Sequence, residues 1–113
     1  MGIDVKRVYD DPEKSDGHRV LVDRLWPRGL SKEKAAVDEW LRDVAPSDPL
    51  RTWFGHRPER FAEFARRYRA ELDGNGGAKE LRDLARDHDH ITLLYAARDT
   101  EHNQAIVLRD YLA

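Results

Sequence analysis

The chain has 113 residues, 37% of them charged, with a formal net charge of −2 and no cysteine. That length suits one domain with one core, so residues 1–113 are read as a single unit. The balanced charge gives no global basic field to gather nucleic acid, and the missing cysteine excludes disulfides, a thiolate nucleophile and every Cys-ligated metal site. No apolar run approaches membrane-spanning length and the N-terminus has no signal-peptide core. A cytoplasmic protein with no membrane partner is therefore expected.

In chain order, Ile3 to Val8 alternates apolar and polar residues, the pattern of a strand with one face covered. Asp10 to Gly17 is rich in residues that break regular structure and reads as a loop. Arg19 to Asp23 is a second strand, centred on Val20, Leu21 and Val22. Ser31 is a candidate cap for a helix running through Asp38, Trp40 and Leu41, with Val37 and Trp40 alternatively forming a separate turn. Asp48–Pro49 reads as an N-cap followed by proline at the first helical position, opening a short helix that Gly55 ends.

Pro58 starts the clearest helix, in which Phe61, Phe64, Ala65, Tyr68 and Leu72 form one apolar stripe. After a glycine-rich break, Ala78, Leu81, Leu84, Ala85 and His88 mark another amphipathic helix. Ile91 to Ala96 is a continuous apolar run, the mark of a strand buried on both faces. A last helix is expected from about His102 to Leu112. These elements predict an α/β fold: a small, largely parallel or mixed sheet of three to four strands flanked by about five helices. The two most apolar strands should lie centrally and pair in parallel through a helical crossover. Strand order and oligomeric state are not legible.

Three segments carry a resemblance: Val20 to Gly29 (VLVDRLWPRG), Trp53 to His56 (WFGH) and Leu94 to Asn103 (LYAARDTEHN). They are similar to signatures of the DUF488 family, specifically its YeaO-like branch, and the similarity runs from about Val5 to Leu112. The family has no established biochemical function, so the resemblance implies a fold and no reaction. Other branches carry a Cys-His-Arg motif near the start of the last helix, where this chain has Glu101, His102 and Asn103. A thiol-dependent mechanism is therefore not implied. Similar sequences also carry an aspartate before Pro58, suited to capping, where this chain has Arg57.

Strand end, polar loop and helix start in succession is where open α/β sheets place ligands. Two such places stand out. In the first, Arg98, Asp99, His102 and Asn103 follow the third strand. Arg98 and the N–H groups of the last helix could meet an anion, or Asp99 or Thr100 could cap that helix while Arg98 pairs with Asp99 or Glu101. His102 is the first candidate for proton transfer, since imidazole titrates near neutrality and a helix N-terminus favours its neutral form.

In the second, Asp23, Arg24, Trp26, Arg28 and Gly29 follow the second strand. Trp26 offers a flat wall, Gly29 a close approach, and Arg28 a freer cation than Arg24, which could pair with Asp23. His56, just past a helix-ending glycine, is a second acid–base candidate beside Asp23. His88–Asp89–His90 sits at the opposite edge and no metal-ligand motif is present, so neither metal nor cofactor is expected.

The arginines from Arg57 to Arg69 interleave with Glu63 and Glu71 as an ion-pair ladder, which disfavours nucleic acid. Two functions stand. One is binding of a small anionic or phosphorylated ligand, with His-based acid–base chemistry as an extension. The other is a non-catalytic module for a nucleotide, nucleic acid or protein.

Overall fold

A computed structural model describes residues 2–113 of the chain. Four strands form one parallel sheet: β1 (Gly2–Arg7), β2 (His18–Leu21), β3 (Glu39–Trp40) and β4 (His90–Tyr95), in the order β1-β4-β2-β3. Five α-helices accompany it among the described residues: α1 (Lys32–Ala35), α2 (Asp48–Phe54), α3 (Phe61–Asp73), α4 (Gly76–Asp87) and α5 (Gln104–Leu112). The apolar runs are central and parallel, as their composition requires. Val20 is in register with Leu93 and Leu21 with Leu94, while β1 takes the edge with Ile3 beside Ile91.

Strand periodicity sends alternate residues of β2 and β4 into two separate cores. Val20, Ile91, Leu93 and Tyr95 join Phe64, Tyr68, Leu72, Leu81 and Leu108 beneath the long helices. Leu21 and Leu94 join Val8 and Ala35 in a smaller cluster, covered by Trp26, Leu30, Val37 and Trp40. The smaller side also holds a buried guanidinium. Arg19 donates to Asp16 and to the carbonyls of Ala35 and Ala36, and Lys6 reaches Asp16 at 3.1 Å. Every partner of that charge is supplied by an adjacent turn, which is what makes its burial tolerable.

This guanidinium explains the largest departure from the expected elements. The helix capped by Ser31 stops at Ala35, Ala36 turns left-handed at φ 48°, and Glu39–Trp40 becomes the fourth strand. Arg19 claims the carbonyls that a longer helix would use, and its own N–H donates to the Asp38 carboxylate at 2.8 Å. Arg42–Val44 forms a 3-10 turn that Ala45 ends.

Smaller shifts have local causes. Ser47, not Asp48, caps α2: its Oγ accepts from Leu50 N while its own N–H and hydroxyl are held by Glu71. Pro58–Arg60 forms a 3-10 turn ahead of α3, and neither Arg57 nor Arg60 supplies a side-chain cap. The last helix begins at Gln104, two residues later than expected, because Asn103 takes the capping position. No helix among the described residues is long and apolar enough to cross a membrane.

Gly17 and Gly29 separate backbone strain from crowding. Both have positive φ, at 65° and 75°, but a Cβ on Gly17 would sit 2.3 Å from the His90 carbonyl oxygen, whereas one on Gly29 meets nothing within 4 Å. Gly29→Ala should cost about 1 kcal/mol, and Gly17→Ala roughly 3 kcal/mol or more because β2 must also move away from β4. Urea denaturation of both variants checks this, and equal losses would contradict it.

Candidate functional site

Because all four strands run the same way, the segments leaving β2 and β4 emerge on one side of the sheet, and a cleft of about 330 Å³ lies there. One wall is the segment Asp23 to Arg28. The other is formed by Ala96, Ala97, His102, Asn103 and Gln104, and Phe54, His56 and Phe64 close the side. All three proton-transfer candidates, Asp23, His56 and His102, thus share one cleft with Arg24, Trp26, Arg28 and Asn103. Arg98, Asp99 and Gly29 do not line it.

Asp23 holds the two walls together. Its Oδ2 accepts from Ala96 N at 2.9 Å, its Oδ1 accepts from the Gln104 side-chain amide, and its backbone carbonyl accepts from Trp40 Nε1 at 2.7 Å. The pairing that Arg24 could make with Asp23 is absent. Arg24 turns instead to the Pro46 carbonyl at 3.2 Å, with its Nε 3.6 Å from Asp48 Oδ1 and no hydrogen bond made by that nitrogen. Burial pushes the Asp23 carboxyl up to about 6 from 3.8, against the two hydrogen bonds from Ala96 and Gln104 that favour its charge.

Trp26 donates to the Leu30 carbonyl at 2.7 Å and meets Trp40 edge-on at 5.4 Å, so the indole is fixed rather than swinging over the cleft. Arg28 is exposed and its side chain has no hydrogen bond or ion pair among the described residues; only its carbonyl is used, by the Tyr9 hydroxyl at 2.9 Å. His56 is exposed beside Phe54 and held at φ 56°, a left-handed conformation unusual for a residue with a Cβ.

His102 is oriented by its own loop. Asp99 receives the N–H groups of Glu101 and His102 and contacts His102 Nδ1 at 2.9 Å; these bonds, led by Glu101, hold the Asp99 carboxyl below its ordinary range. Phe61 presents its ring edge-on to the imidazole at 5.2 Å. Asn103 is buried and committed, since Oδ1 accepts from Ile106 N and Nδ2 donates to the Asp99 carbonyl. Neither Asp99 nor Thr100 caps α5. Arg98 is exposed with no ion pair among the described residues, so the alternative in which it pairs with Asp99 or Glu101 does not hold.

Sequence reasoning missed Gln104, Arg51 and Tyr9. Gln104 carries a signal in hindsight, as the first helical residue after the polar loop; Arg51 and Tyr9 are placed by tertiary packing alone. Phe54 belongs to the core and still reaches the cleft. At the far edge, His18 and His88 stack at 3.9 Å and His90 approaches Asp4 at 3.0 Å. No group of three or more His, Asp or Glu among the described residues is arranged to hold a metal ion.

A parallel α/β sheet with a polar and aromatic cleft at its carboxyl ends defines the class of protein. The chain belongs to the DUF488 family: residues 2–113 match the model described as the inactive DUF488-N3 subclade. It is 47% identical to the uncharacterized protein YeaO of Escherichia coli (strain K12) over 113 residues, 99% of this chain and 97% of that one. It is 46% identical over 108 residues to the uncharacterized proteins Rv3073c of Mycobacterium tuberculosis and Mb3100c of Mycobacterium bovis, covering 96% of this chain and 91% of theirs. No solved structure matches significantly.

The raised Asp23 value fixes the sign of a pH effect. Between 3.8 and about 6 the folded chain holds a proton there that the unfolded chain releases. The stabilisation is full below about pH 4 and is lost as pH rises through about 6. Asp23→Asn preserves both hydrogen bonds if the Gln104 amide flips. The stability of wild type relative to this variant should therefore fall on the order of 2 kcal/mol between about pH 4 and about pH 8. Urea titrations at a series of pH values measure it; a difference independent of pH would refute the assignment.

Proposed function

We propose that the chain is a ligand-binding domain that takes a small anionic molecule with a flat body into the cleft between Asp23–Arg28 and Ala96–Gln104, without turning it over. The supporting observation is the convergence of unlike groups. A fixed indole and two phenyl rings offer apolar faces, while Arg28 and Arg51 stand exposed at the edge, the latter within 3.3 Å of Asp48. Guanidinium groups suit phosphate and carboxylate, and aromatic walls with a few polar groups are the usual make-up of ligand clefts.

The absence of turnover is supported by the subclade's description as inactive and by the chemistry of the cleft. Glu101, His102 and Asn103 stand where related branches have Cys-His-Arg, so the thiol is missing from the corresponding loop. One observation favours a second reading, in which the domain is an enzyme: the Asp99–His102 contact orients an imidazole at the cleft, as acid–base catalysis requires.

A thermal-shift screen of phosphorylated metabolites tests the proposal. The expected result is a stabilising ligand whose effect is largely lost in Arg28→Ala and Arg51→Ala, retained in His102→Ala, and accompanied by no product after prolonged incubation. A ligand indifferent to both arginine substitutions would overturn the site, and product formation abolished by His102→Ala would establish the enzymatic reading.

A further inference from the structure

The cleft brings unlike groups together. Asp23 is half-buried there, and its oxygens each accept one protein hydrogen bond and have lone-pair capacity left. Gln104 donates to it through Nε2, and the Gln104 Oε1 has no protein partner among the described residues. Trp26 is half-buried in the lining, with Phe54 and Phe64 behind it in the core. Arg28 and Arg51 also line the cleft, and both are exposed.

No lysine or arginine pairs with Asp23 among the described residues, because Arg24 is drawn away to Pro46 and Asp48. A carboxylate that faces a cleft without a cation partner is matched by N–H donors on whatever enters. The ligand this set of groups selects has adjacent N–H donors for the half-buried carboxylate, a flat ring system for the aromatic lining and an anion for the exposed guanidinium groups. A nucleoside monophosphate carries all three. Among the bases, guanine alone pairs a ring N–H with a neighbouring amino group, two parallel donors for the two oxygens of one carboxylate. Adenine offers its amino group beside a ring acceptor, which would face the carboxylate unfavourably.

We infer that the cleft binds a guanine nucleotide, with Asp23 and Gln104 reading the N–H edge of the base, Trp26 beside the ring, and Arg28 meeting the phosphate. This rests on the anion-binding reading above and goes further by naming the ligand.

Calorimetric titration of the full chain with GMP, AMP and ribose 5-phosphate separates the two claims. GMP should bind at least about tenfold more tightly than AMP, as a site built to accept hydrogen bonds rejects a ligand that cannot donate them. Asp23→Asn should remove most of that preference while leaving ribose 5-phosphate unchanged, and Arg28→Ala should weaken all three. Melting curves of the variants confirm that they fold, and Gln104→Ala supplies an independent arm if Asp23→Asn does not. Equal affinity for all three ligands, or a GMP preference that survives both Asp23→Asn and Gln104→Ala, would overturn the base reading while leaving anion binding in place. Binding of none of them, together with a failed metabolite screen, would overturn both.

Discussion

The carboxylate of Asp23 is the joint on which the cleft depends. A parallel sheet guarantees that its strands end on the same side, but not that the segments beyond them stay together. Here one side chain, one residue past Val22, reaches the first N–H beyond β4 and the first residue of α5, and its carbonyl anchors Trp40 of β3. Three strands and a helix are thereby fixed relative to one another at a single point. The charge is paired by no cation and pays in burial, which is why the group titrates so far above an ordinary aspartate. A joint made this way keeps spare acceptor capacity beside the cleft.

The loop ahead of α5 is ordered from within. Asp99, His102 and Asn103 form a hydrogen-bonded turn in which Asp99 holds His102 through its N–H and Nδ1 while Asn103 bridges Asp99 and Ile106. Rigidity of that kind serves orientation in a binding site as well as in a catalytic one.

Much of the architecture was legible because the runs Val20–Val22 and Ile91–Ala96 carry no alternation, the mark of central strands in a covered parallel sheet. The cleft lies beyond the ends of these two runs, and Asp23, Arg28, His56 and His102 all line it. What local patterns missed was decided by long-range partners. The cap at Ser31 is real, yet Arg19 ends its helix after four residues and releases Glu39–Trp40 to the sheet. Arg98 looked central because it directly follows the strand, but the turn organised by Asp99 leaves it outside the cleft. Gln104 was overlooked because an uncharged amide carries no chemical signal until its carboxylate partner is known, and that partner is 81 residues away.

The shortness of β3 has a consequence at the sheet's margin. With two residues in the ladder, Val20 facing Glu39 and Leu21 facing Trp40, the strand presents too few free backbone groups to template a foreign chain. The opposite margin, β1, is longer but carries Asp4 and Lys6, charges that oppose the stacking of one sheet against another. A parallel sheet of only four strands would ordinarily invite extension at both margins. This one is closed to it at one side by brevity and at the other by charge, which protects the chain from the aggregation that its apolar central strands would otherwise promote.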